Sequence, residues 1–178
     1  MIRDKLKIDE KDIKILSFYM NNPSISQNEI AEKLDLSQPS VFVRIQKLKK
    51  KGLLETRVGL NFNKSQLFIC RVDLTSNNPN DLLHEMKKCP FFVNGFIISG
   101  ENNVSLLLAH ENLRKIDEIV NTHLRNLETV SNIKVNVIVS SAKDYVFEMN
   151  LMCEIEGNCS EEGYCKHCGR INLEHHKR

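Results

Sequence analysis

Residues 9–51 hold three short amphipathic segments joined by turns of only a few residues, which leaves the chain little choice but to pack them on one another. Asp9 can cap the first. Ile13, Leu16, Phe18 and Met20 follow at roughly helical spacing, and Asp12 stands three residues on, as in a capping box. Asn21-Asn22-Pro23 ends that helix near residue 21. Ser26 caps a second helix from Gln27 to Leu34, with Glu29 at its third position and Ile30, Ala31 and Leu34 inward. After the turn Asp35-Leu36, Ser37 caps a third helix running to about Lys51, with Pro39 in its first turn. Val41, Ile45 and Leu48 recur at i, i+4, i+7 as its buried stripe, and Gly52 suits the position just past its end. Leu53 to Thr56 and Val58 to Phe62, with Arg57 between them, read as a small hairpin. Together, residues 1–62 predict a winged helix-turn-helix.

The pattern then changes. Leu67 to Thr75 reads as a strand, Asn80 to Lys88 as a short helix, and Phe91 to Ser99 and Val104 to His110 as strands around the turn Gly100-Glu101-Asn102-Asn103. Asn112 to about Leu127 is helical, with Leu113, Ile116, Ile119, Val120, Leu124 and Leu127 on its apolar side. Ile133, Val135, Val137 and Val139 alternate in a strand over 133–140, and Tyr145, Phe147, Met149 and Leu151 suggest one more. The order β-α-β-β-α-β predicts a ferredoxin-like sandwich over residues 63–150. From residue 151 the chain is polar and cysteine-rich, with too little apolar content for a core of its own. The fold class is therefore α+β, in three parts.

The charge is unevenly placed. Residues 1–66 hold 13 Lys and Arg against 8 Asp and Glu, and the remainder 12 against 15, within a net charge of +2. A basic first third points to a polyanion as its partner. No stretch reaches the ~18 apolar residues that a membrane span needs. Met1-Ile2-Arg3-Asp4-Lys5 is not followed by the apolar run of a signal peptide, so the expectation is a cytoplasmic protein.

The third helix fits double-stranded DNA. With Val41, Ile45 and Leu48 inward, the outer face carries Gln38, Pro39, Ser40, Val43, Arg44 and Lys47, with Lys49, Lys50 and Lys51 at its end. Short polar residues near the helix start can reach base edges, and the cations beyond them meet phosphates or guanine. Arg57, at the tip of the expected wing, would reach the backbone. About five or six phosphate contacts per subunit would make affinity fall steeply with salt.

These segments carry a resemblance. Ile8-Asp9-Glu10-Lys11-Asp12-Ile13-Lys14-Ile15-Leu16, Ile30-Ala31-Glu32-Lys33-Leu34-Asp35-Leu36-Ser37, and Val41 through Leu54 resemble the first helix, the second helix with its turn, and the recognition helix of Lrp/AsnC regulators. The likeness extends through the sandwich to about residue 142. It implies a sequence-specific transcription regulator, built as a homodimer through the sandwich and assembled further into tetramers or octamers. It also implies an effector site at Gly100, Asn102 and Asn103, where the family's Gly-x-x-Asp turn has Asn103 in place of the acid. Phe42-Val43 stands where that family commonly has polar or basic residues.

Cys153, Cys159, Cys165 and Cys168 fall within 16 residues, whereas Cys70 and Cys89 are isolated in apolar stretches and expected to be packed. Four thiols, two of them as Cys-x2-Cys, suit zinc or another thiophilic metal such as Cu(I), and Cys165-Lys166-His167-Cys168-Gly169 resembles a zinc knuckle. Such a metal would either pin the tail or, with thiol oxidation as an alternative trigger, alter DNA affinity. Free thiols are the third reading. Two other functions stay open. One is an enzyme similar to the siroheme decarboxylases, on which His84, His110 and His123 would bear. The other is a protein-interaction module docking through the tail.

Overall fold

The structure, a computed structural model, describes residues 2–152. The chain divides into two compact units, residues 1–57 and 58–178.

The first unit is helical. α1 (Ile2–Leu6) has no counterpart in the sequence reading. α2 (Glu10–Asn21) opens on a complete capping box. The Asp12 amide donates to Asp9 Oδ1 at 2.8 Å, and the Asp9 amide donates back to Asp12 Oδ2 at 3.3 Å. α3 (Gln27–Leu34) has the same reciprocal arrangement between Ser26 and Glu29. Asp35 then takes a left-handed conformation at φ 49°, and α4 (Gln38–Lys50) begins. Ser37 makes no side-chain cap; its hydroxyl meets that of Ser40 at 2.8 Å. At the far end Gly52, φ +65°, closes the helix. Its amide donates to Lys49 O and the Leu53 amide to Leu48 O, satisfying two carbonyls that the helix leaves open. Ile15, Ile25, Ile30, Ala31, Val41, Ile45 and Leu48 form the core between the three helices.

The hairpin expected over residues 53–62 does not form. Residues 53–59 adopt no strand. Leu53 and Leu54 pack against the helical core instead, so their apolar side chains are satisfied without a ladder. The stretch predicted as the wing's second strand belongs to the second unit, where β1 (Leu60–Asn61) pairs antiparallel with β6 (Val146–Phe147). Gly59 permits this: a Cβ there would lie 2.2 Å from the Phe147 carbonyl oxygen.

α5 (Phe62–Ser65) leads into β2 (Phe68–Ser76), α6 (Pro79–Met86), β3 (Phe92–Ile97), β4 (Val104–His110), α7 (Leu113–Val120) and β5 (Val130–Ile138). The sheet order β3-β4-β2-β5 is wholly antiparallel. This is the predicted split β-α-β sandwich. Cys70, Val72 and Leu74 of β2 and Leu106 and Leu108 of β4 pack against Leu82 and Met86 of α6 and Ile116, Ile119 and Val120 of α7. The expected single helix to Leu127 changes at Asn121 into one π-turn, Asn121–Arg125, which brings both His123 and Leu124 inward. The final predicted strand shrinks to β6; Phe147 is buried there with Phe62, Ile69 and Ala109. The tail beyond residue 152, with its four cysteines, lies outside the described residues.

Candidate nucleic-acid interface

α4 is oriented by three side chains with essentially no exposure: Val41 and Leu48 at 0% and Ile45 at 1%. Helical spacing puts Pro39, Phe42, Val43, Gln46 and Lys50 on the opposite face, at i, i+3, i+4, i+7 and i+11. All five are exposed, as are Gln38, Ser40, Lys49 and Lys51. Gln38 is braced from the preceding helix, its amide nitrogen donating to Gln27 Oε1 at 3.0 Å. Three consecutive lysines follow at the helix end, where cations also suit the dipole.

Arg44 and Lys47 are engaged differently from the sequence expectation. Arg44 Nη1 donates to Asp9 Oδ2 and to Asp12 Oδ1, both at 2.6 Å, and Lys47 Nζ reaches Asp12 Oδ2 at 3.1 Å. The Asp12 side chain has no exposed surface, Arg44 keeps 26% and Lys47 46%. Burial by itself would raise the carboxyl pKa of Asp12. The hydrogen bonds from Arg44, Lys47 and the Asp9 amide outweigh it and hold that pKa below the ordinary carboxylate range. Asp9 is likewise lowered, and Arg44 is raised by the same two carboxylates. The capping acids of α2 thus double as an anchor for α4. No spacing rule links residues 9 and 12 to 44; only the packing of the two helices does. Arg57, expected at a wing tip, makes an ion pair with Glu55 at 3.1 Å. Phe42 and Gln46 complete the face beside Lys49 and Lys50 and were not named on the outer face from the sequence.

Gly100, Asn102 and Asn103, the expected effector site, lie in the turn after β3, where the two asparagines bond within the protein. Asn103 Oδ1 accepts from the Ser76 amide and Asn103 Nδ2 donates to Ser76 O, each at 2.8 Å. Asn102 is buried and accepts from Thr75 Oγ1 at 3.3 Å, while Gly100 takes φ 141°.

The three sandwich histidines do not share a setting. His84 is exposed. His110 packs edge-on against Phe91 at 4.5 Å, its Nδ1 accepting from the Asn112 amide at 2.9 Å. His123, with its pKa lowered by burial, lines a cavity of about 170 Å³ beside Asp81, Met86 and Cys89. Cys70 and Cys89 are buried free thiols, as expected. Among the described residues no group of three or more His, Cys, Asp or Glu is placed to hold a metal ion, and no helix is long and apolar enough to cross a membrane.

Residues 8–55 match a family model described as winged helix-turn-helix DNA-binding. The chain is 25% identical over 148 residues to the leucine-responsive regulatory protein of Rhizobium meliloti, covering 79% of this chain and 94% of that one. It is 23% identical over 140 residues to the HTH-type transcriptional regulator LrpA of Pyrococcus horikoshii, covering 76% and 99%. The structure of E. coli AsnC superposes with a TM-score of 0.68 at 13% identity, covering 76% of this chain and 95% of that one. The chain thus joins a helix-turn-helix unit of the DNA-binding class to a ferredoxin-like unit, an arrangement whose fold it shares with AsnC. The relatives so named are Lrp and AsnC proteins, to which this chain is similar in sequence and in fold.

Proposed function

We propose that the chain controls transcription as a homodimer that inserts α4 of each subunit into the major groove, and that its C-terminal cysteines tune this binding. The observation that carries the DNA reading is the exposed face of α4, polar at its start and tri-lysine at its end, on a helix whose rotation is set by a buried stripe. Lys49 and Lys50 are the phosphate contacts, and the clamped Arg44 supports the helix rather than reading bases. Binding to a random-sequence duplex, followed by anisotropy between 50 and 200 mM salt, is expected to weaken steeply. Lys49→Ala and Lys50→Ala should each make the log-log slope shallower by about one. Absence of any duplex binding at the lower salt would overturn the reading.

The dimer rests on β5. Among the described residues it is an edge strand, paired on one side alone, and Val135 and Val137 are 38% and 45% exposed. A second copy covers that edge. Light scattering should give twice the chain mass or a larger even multiple.

A thiophilic metal at Cys153, Cys159, Cys165 and Cys168 is the reading favoured for the tail. The support is the donor set together with the position of β6. Cys153 comes six residues after Phe147, and β6 pairs with β1, which starts three residues after the first unit ends. A change in the tail therefore pulls on a segment adjoining the linker to the DNA-binding unit. Elemental analysis should find about one zinc or copper per chain, lost in a Cys165→Ser, Cys168→Ser variant. Metal-free wild-type protein with unaltered DNA affinity under thiol oxidation would dismiss it.

A further inference from the structure

Phe42 and Val43 are 45% and 64% exposed in the middle of α4, on a surface whose neighbours are polar or cationic. Large apolar side chains so placed lose free energy to water unless something apolar covers them. Two observations say what the cover is. The first is charge: the stripe runs from Ser40 to Lys50, so a partner must present small apolar groups within an anionic frame. The second is the clamp. Arginine reading guanine needs both its donors at O6 and N7. Arg44 Nη1 donates to both Asp9 and Asp12, which tethers one end of the fork, and withdrawing it would leave the unexposed Asp12 with Lys47 as its one cationic partner among the described residues. The strongest guanine reader on the helix is therefore tethered within the protein by one of its two terminal nitrogens. With Gln38 bonded to Gln27, Ser40 to Ser37 and Lys47 to Asp12, what remains for base edges is Phe42, Val43 and the Gln46 amide. Apolar side chains meet the C5-methyl of thymine, and glutamine pairs with N6 and N7 of adenine.

We infer that α4 reads A·T pairs, with Phe42 and Val43 seated on thymine methyl groups and Gln46 on an adjacent adenine. This rests on the proposal that α4 enters the major groove and adds which bases it recognises. Thymine methyls lie on the groove floor between two rows of phosphates, which matches an apolar pair followed by Lys49 and Lys50. A second copy of the chain or an apolar protein partner on this face is the competing occupant.

The test uses the full-length chain and a pool of random duplexes. Selection at constant salt is expected to enrich sites with T and A at the centre of each half-site. Replacing those thymines with deoxyuridine removes only the methyl and should weaken binding about fourfold per methyl contacted. The Phe42→Ala, Val43→Ala variant should keep the salt slope and lose the distinction between thymine and deoxyuridine. Enriched sites centred on G·C, or equal affinity for thymine and deoxyuridine duplexes while salt-dependent binding persists, would overturn the base assignment and leave the DNA-binding reading standing. Failure of the chain to bind any duplex, with self-association lost in the variant, would overturn both and give the face to a second copy.

Discussion

Arg44→Met is expected to destabilise the N-terminal unit by about 3 kcal/mol, because it leaves the buried Asp12 carboxylate facing a single, half-exposed lysine. Methionine retains the packing of the arginine stem, so the loss reports the charge. In a unit of this size that is a fall of roughly 12–24 °C in Tm. Asp12→Ala alone should cost less, since Arg44 still has Asp9, and the double variant should be more stable than the sum of the two losses predicts. The clamp also sets an acid limit. Asp9 and Asp12 have folded-state pKa values below their ordinary ones, so the stability they add is present above about pH 4 and disappears as pH falls through the lowered values. Thermal unfolding at pH 7 and at pH 3 should show wild type losing stability between them. In Arg44→Met that dependence shrinks, because burial then works against the charged Asp12. If the variant unfolds like wild type at pH 7 but loses DNA binding, Arg44 belongs to the DNA and the clamp is incidental.

Gly59→Ala should break the pairing of β1 with β6. The added Cβ would stand 2.2 Å from the Phe147 carbonyl oxygen and 2.6 Å from its carbonyl carbon, both main-chain atoms that cannot swing aside. Separation of the strands removes the ladder between Leu60 and Phe147, strains the bond from the Phe62 amide to Tyr145 O, and loosens the cluster of Phe62, Ile69, Ala109 and Phe147. A cost of about 2–3 kcal/mol is expected. Hydrogen exchange should show lost protection at Phe62 and Phe147, with the four-stranded sheet retained. Unchanged protection there would mean that the backbone shifts to accept the methyl. The same variant probes the tail. If the cysteines act on DNA affinity through β6, Gly59→Ala should keep DNA binding and abolish its response to metal or oxidation.

Helices α2, α3 and α4 were legible from single residues because their determinants are local. Asp9 with Asp12 and Ser26 with Glu29 each satisfy main-chain groups three positions away, and Val41, Ile45 and Leu48 repeat at the helical period. The sandwich was legible for the same reason, its six elements in order and, the end of α7 apart, to within a few residues at their ends. Its core strand β4 was bounded at Val104 and His110 as read. The π-turn at Asn121 was not, since α and π turns satisfy the same apolar spacing over so short a stretch.

What the amino-acid order determined alone is the set of elements, their class and the face each helix buries, all consequences of interactions between residues a few positions apart. What only the tertiary structure decided is which partner each unpaired group takes. The strand expected to close a hairpin joins β6, more than eighty residues on, because Gly59 lets two main-chain segments touch. Arg44 turns to acids more than thirty residues earlier, because an unexposed Asp12 costs more to leave uncompensated than a surface cation gains in water. Such choices depend on desolvation and on the approach of distant segments, and neither is written in any local pattern.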